Sequence, residues 1–228
     1  MKLYPLATRA VLAIRNNAAV FLNGLTTNTA DKPRNAFVNI HGRIVATCDQ
    51  YRISDDEFII VVERAFVDSL LAHLDKYIRL SGVRIEKLER HVYFDVEGVG
   101  ELPAGSLAIA QRKGRMVICE DKLPAGVSDE ECTLFRVKNG IPVQGIDFKD
   151  EFLLNVGGDE FVSYTKGCFL GQEPLSKVHN RSKPTWKLVV RYQDQCSPEE
   201  RQKLTSLTVE PATRRPMGFV FVRNETSS

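Results

Sequence analysis

The sequence predicts an α+β protein, and three observations carry that prediction. Short alternating segments separated by turn signals fill residues 35–62, one stretch of helical periodicity follows them, and alternation returns from residue 83 onward. At 228 residues the chain makes one large domain or two small ones, with enough interior to fold without staples.

Taken in order, residues 8–15 (Thr-Arg-Ala-Val-Leu-Ala-Ile-Arg) read as a short strand. Asn17 is the candidate N-cap of a helix over Ala18–Leu22, and Gly24 is its stop. Residues 35–40 and 43–53 alternate around His41-Gly42 as a hairpin, Asp55-Asp56 makes the next turn, and Glu57–Val62 is a third strand. From Arg64 to Ile78, Phe66, Val67, Leu70, Leu71, Leu74 and Ile78 recur at helical spacing, so one face of that helix must pack on the sheet. His73 falls at the boundary of that face.

Residues 83–97 alternate again, and strands at 106–111 and 115–119 flank the Gly114 turn. Ser128-Asp-Glu-Glu131 has the pattern of a capped helix start, Asn139-Gly140 ends that helix, and Pro142 blocks its continuation. Residues 145–163 lack strong periodicity and contain Gly157-Gly158, so they read as a connecting loop. A helix from about Gln172 through Val178 comes next, because Pro174 is tolerated only in a first helical turn. Pro184–Tyr192 is a strand, 193–203 a polar surface loop or insertion, and 217–222 a final strand.

Composition excludes several function classes. The 31 basic and 29 acidic residues nearly cancel, which argues against a general nucleic-acid binder. The largest apolar runs, such as Phe58–Val62, fall far short of a membrane span. Five cysteines, odd in number, widely spaced and without a C-x-x-C pair, point away from a disulfide framework and a zinc ribbon and toward a reducing cytoplasm. The first 30 residues are basic and acid-free but lack serine, so they read as folded protein and not as a transit peptide.

The densest chemistry lies in Lys166-Gly-Cys168-Phe-Leu-Gly-Gln172-Glu173. A thiol two positions from a lysine, among glycines and just before a helix N-terminus, is placed for a lowered pKa and hence reactivity, although a lone cysteine is commonly a small buried hydrophobe. His41, His73, His91 and His179 fall in no hydrolase signature, and Cys168, His179 and Cys196 match no metal-ligand spacing, so no metal is expected. Gly98-Val-Gly100 is not completed to a phosphate-binding motif. The run Lys177, His179, Arg181, Lys183, Lys187 and Arg191 suits an anionic tail or a phosphate, or is simply a solvated basic face; Trp186 in its midst is a stacking platform or a half-buried strand aromatic.

The stretch Lys166–Glu173 resembles the K-G-C-[YF]-x-G-Q-E signature of the YgfZ/GcvT-like folate-binding family, whose members support iron–sulfur cluster assembly or repair. Phe21-Leu-Asn-Gly-Leu-Thr-Thr-Asn28 is similar to the family's F-L-x-G-x-x-T-N segment, and Gly42-Arg43-Ile44 to its hairpin turn. Arg136, Gly140-Ile-Pro142 and Gly145-x-Asp147 are similar to its R-x-x-x-G-x-P-x-x-G-x-D segment, so the likeness spans roughly residues 8–192.

The resemblance implies a GcvT-like folate-binding domain over residues 1–183, two ferredoxin-like halves in a ring-like arrangement around tetrahydrofolate or another reduced folate. A short C-terminal β segment over 184–228, a truncated or minimal barrel, completes the chain. Cys168 and Lys166 become the functional pair, and Arg136, Asp147, Lys166, Gly167, Gln172 and Glu173 the cofactor-binding set. Gln172 and Glu173 are expected to fix the loop or the helix after it. Partners would be iron–sulfur client proteins or assembly factors. The alternative is a folate-dependent aminomethyl or methyl transferase related to the glycine cleavage T-protein. That enzyme places a carboxylate soon after the hairpin turn; Gly42–Thr47 offers none, and Asp49 is the nearest.

Overall fold

The computed structural model describes residues 1–224, the Asp159 side chain excepted. Its first half begins with strand β1 (Leu3–Pro5) and continues through β2 (Arg9–Arg15), helix α1 (Ala18–Leu25), β3 (Arg34–Val38), β4 (Ile44–Arg52), β5 (Glu57–Glu63), α2 (Val67–Ser81) and β6 (Arg84–Leu88). Strands β2 to β6 form an antiparallel sheet in the order β3-β4-β5-β2-β6. Without the edge strand β3 this is the strand-helix-strand-strand-helix-strand order of a ferredoxin-like half.

Both faces of that sheet are buried, which explains why β2 and β5 read as continuous apolar runs. Leu12, Ile14, Ile60 and Val62 face the helices, packing with Phe21 and Leu22 of α1 and Leu70 and Leu74 of α2. Val11, Ala13, Ile59 and Val61 face the other way, onto Val92, Ile109, Met116 and Ile118 of a second sheet. That sheet joins β1 to β7 (His91–Asp95), β8 (Leu107–Ala110) and β9 (Arg115–Cys119) in the order β1-β7-β9-β8. A loop over 96–106 connects β7 to β8 where the first half has a helix.

Helices α3 (Asp129–Lys138), α4 (Leu153–Phe161) and α5 (Gln172–Arg181) follow, then β10 (Trp186–Tyr192), the short α6 (Pro198–Gln202), β11 (Thr205–Val209) and β12 (Pro216–Arg223). The last three strands form an antiparallel sheet in the order β10-β12-β11, the short C-terminal β segment. Its Leu188, Met217 and Phe219 share one core with Val38, Ile44, Val137, Leu153 and Leu175.

Most predicted elements fall where the pattern put them, including the complete Ser128/Glu131 capping box of α3. Three expectations need correction. The 145–163 loop contains α4, whose periodicity is interrupted because Gly157 leaves the helical region at φ 155° while Leu153, Leu154, Val156 and Phe161 still bury. Within 193–203 lies α6, capped reciprocally by Ser197 and Glu200, and the strand β11 after it escaped the pattern because its register slips between Thr205 and Thr208. Asn17 does precede α1, but in a left-handed conformation and without a side-chain cap, and the helix runs past Gly24 to Leu25.

Candidate functional site

The motif loop is built from three anchors. Ser163 N–H donates to Thr27 O (3.0 Å), and Leu170 N–H to Gly24 O (3.0 Å), laying the loop along the end of α1. Gly171 closes it at φ 78°, where an added Cβ would sit 2.4 Å from Asn39 O; glycine is required there. Gly167 has nothing within 4 Å of its Cβ position, so its role is not steric.

Lys166 is the third anchor. Its Nζ donates to Thr26 O (2.8 Å) and Asn28 O (2.6 Å) and lies 5.1 Å from the centre of the Phe169 ring. The two stretches that resemblance singled out, 21–28 and 166–173, are thus joined through one ammonium. Burial pulls the Lys166 pKa down to about 8; the two carbonyls favour the charged form.

Cys168 is exposed, and among the described residues nothing hydrogen-bonds to its thiol or pairs with it. The other four cysteines are buried. Burial pushes the thiols of Cys48, Cys119, Cys132 and Cys196 up, that of Cys132 to about 11. Of the five thiols, only that of Cys168 is exposed. The expectation that Lys166 activates it meets a different geometry, since that ammonium is turned to the carbonyls of Thr26 and Asn28. Gln172 and Glu173 start α5, and Glu173 is exposed, in the first turn where a carboxylate complements the helix dipole.

A cleft of about 550 Å³ opens beside the first part of the motif, lined by Asn28, Arg34, Gln111, Arg112, Glu160 and Tyr164 among others. Its polar wall is a chain of alternating charges. Arg112 Nε and Arg34 Nη1 (2.6 Å) hold the Glu160 carboxylate, and Arg34 Nε lies 3.6 Å from Asp49. Arg9 Nη1 stands 3.6 Å from the same carboxylate, and Arg9 Nε meets Glu63 at 2.8 Å. Gln111 Nε2 also donates to Asp49 (3.0 Å). Asp49, the carboxylate named for transfer chemistry, therefore sits behind the wall with its oxygens committed. Arg34 Nε is buried without a hydrogen-bond acceptor.

Arg136 and Asp147 do come together, but away from this cleft. Asp147 is inaccessible and accepts from Arg136 (3.0 Å), Val143 N–H (2.8 Å), Thr205 Oγ1 (2.8 Å) and Ser206 Oγ (2.6 Å), which pins β11 to the segment after α3. Sequence reasoning missed Arg34, Arg112, Gln111 and Glu160. Each is an ordinary surface-type residue in its local pattern, and Glu160 lies in a helix whose periodicity Gly157 interrupts.

No family model matches the sequence. An uncharacterized protein of Haemophilus influenzae is 25% identical over 148 residues, covering 61% of this chain; the chain spans about half of that relative, 52% of its length. Among solved structures, the glycine cleavage system aminomethyltransferase T of Bartonella henselae superposes with a TM-score of 0.68 at 15% identity, covering 97% of this chain and 78% of its own. The chain has the fold of aminomethyltransferase T. The expected fold class is therefore met, with a three-stranded C-terminal sheet as its reduced last part.

Among the described residues, no helix is long and apolar enough to cross a membrane, and no cluster of three or more His, Cys, Asp or Glu side chains is arranged to hold a metal ion.

Proposed function

We propose that this protein binds a reduced folate in the cleft beside Glu160 and serves iron–sulfur proteins as an accessory factor in the cytoplasm, with Cys168 as its working thiol. One observation carries the reading: the single exposed cysteine stands on the loop that Lys166 ties to the rim of the cleft. The likeness of Lys166–Glu173 and Phe21–Asn28 to the folate-binding family supports it, as does the shared fold.

The donor set of the cleft fits a folate. The pterin edge carries adjacent N–H donors that a carboxylate accepts in pairs, and Glu160 or the Gln111 amide supplies the acceptor. Arg34 and Arg112 hold the Glu160 carboxylate in place, and Lys32 farther along the cleft suits a carboxylate of the glutamate end. Tyr164 offers a ring face. A bound reduced folate supplies one-carbon or reducing chemistry. The chain's own work is to orient it: Asn28 Nδ2 fixes Arg34 O (3.2 Å) and Glu160 O (3.1 Å), and Lys166 holds the backbone of Thr26 and Asn28 against the loop that presents the thiol.

Two experiments test this. Calorimetric titration with tetrahydrofolate reads the cleft, and absence of binding at high micromolar ligand removes the folate. Restoration of iron–sulfur enzyme activity in cells lacking the protein reads the thiol; a Cys168→Ser chain that restores it fully removes Cys168 from the mechanism. Aminomethyl transfer is the less supported reading, because Asp49 is salt-bridged behind the cleft wall.

A further inference from the structure

The segments that surround Cys168 are nearly free of charge. They are α1 (Ala18–Leu25), the β3–β4 hairpin tip over 39–42 and the motif loop over 163–172. Together they contain no Asp, Glu or Arg and a single Lys, in a chain that is 26% charged. That lysine is Lys166, whose ammonium is turned inward to Thr26 O and Asn28 O.

The three segments are joined edge to edge, since Leu170 N–H donates to Gly24 O and Gly171 lies against Asn39 O. Both neighbours of the loop carry an aliphatic side chain out into solvent. Val20, 75% exposed, stands one turn before Gly24 on the same side of α1, and Ile40, 66% exposed, follows Asn39. Charge returns at the margins: Asp55 and Asp56 beside the start of α1, the Arg43–Asp150 pair (3.3 Å) after the hairpin, and Glu173 after the loop. An uncharged centre with exposed aliphatics inside a charged rim matches the anatomy of a protein–protein interface.

A second observation is independent of charge. Gly24 inside α1 and Gly167 beside Cys168 have nothing within 4 Å of the position a Cβ would take, and neither has a left-handed backbone. The fold has no use for glycine at either place, and inside a helix alanine is the more stable choice. Bare backbone on an exposed surface admits close approach from outside.

We propose that this face is where the protein partner of Cys168 docks, a folded protein with an uncharged, aliphatic contact surface that covers Val20, Gly24 and Ile40 when it reaches the thiol. This rests on the working-thiol reading above, in which that partner is the iron–sulfur protein served. The face offers no exposed cation for a nucleic-acid backbone, and no charge is buried without a partner when two such surfaces meet.

The test is restoration of iron–sulfur enzyme activity in cells lacking the protein, with the full chain at its native level. Ile40→Glu and Val20→Glu are expected to lower restoration at least about tenfold, because each strands a charge in the centre of the interface. Leu80→Glu, at an 85% exposed position at the end of α2 and outside this face, restores fully. All three keep the native melting temperature and the native rate of Cys168 alkylation by iodoacetamide. Gly24→Gln separates docking from folding: better helix propensity raises the melting temperature, while the added side chain lowers restoration. Full restoration by Ile40→Glu and Val20→Glu, where Cys168→Ser fails, overturns this inference and leaves the thiol reading standing. Full restoration by Cys168→Ser overturns both. A native chain that sediments as a dimer, dissolved by Ile40→Glu, gives the face to a second copy and overturns the inference as well.

Discussion

Asp147→Ala is expected to loosen the C-terminal sheet without touching the cleft. Asp147 accepts four internal hydrogen bonds, from Arg136, Val143, Thr205 and Ser206, and its side chain is 0% exposed. Removing it leaves Arg136, whose side chain is 11% exposed, as a buried cation with only Ile141 O and Ser206 Oγ nearby. Breaking a buried pair from one side costs about 3–5 kcal/mol. For a chain of this size that lowers the melting temperature by roughly 10 °C. Urea unfolding followed by circular dichroism measures the loss, and the double variant Asp147→Ala with Arg136→Met recovers part of it because no uncompensated charge remains. A loss below about 1 kcal/mol would refute the buried-pair account. A folded Asp147→Ala chain that no longer binds tetrahydrofolate would show that the pair acts on the ligand after all.

Gly171→Ala places a Cβ 2.4 Å from Asn39 O at φ 78° and is expected to cost at least ~1–2 kcal/mol, whereas Gly167→Ala, with open space around it, is near neutral; thermal denaturation of the two compares them directly. The Lys166 pKa in the folded chain, about 8, lies below its unfolded value near 10.4, so above pH 8 the unfolded chain binds more protons and the lysine's contribution to stability rises with pH until about 10.4. The stability difference between the native chain and Lys166→Met should therefore grow in favour of the native chain over that range, and a flat difference would contradict the burial of the ammonium. Glu160→Gln weakens the grip of Arg34 and Arg112 on the cleft wall and lowers tetrahydrofolate affinity about tenfold, read by titration, through loss of one charge-assisted hydrogen bond.

The legible part of the site was the part with unusual local chemistry. Lys166, Cys168 and Gly171 stand within six residues, and a thiol, an amine and glycines together are informative without neighbours. The cleft was illegible for the opposite reason. Arg34 on a strand, Gln111-Arg112 in a turn and Glu160 in a helix broken by Gly157 are each what a solvent-facing position would carry, and they matter because folding sets them around one cavity.

The alternation and periodicity of the first sheet and its helices, the capping box of α3 and the motif loop can be read from neighbours along the chain. The burial of both faces of the first sheet, the bonding of Asp147 to β11 and the turn of the Lys166 ammonium to Thr26 and Asn28 emerge once the chain has folded. Those outcomes depend on partners up to 140 residues away. Burial and long-range hydrogen bonding choose among partners that no local pattern ranks, and here they left Cys168 as the one thiol still open to solvent.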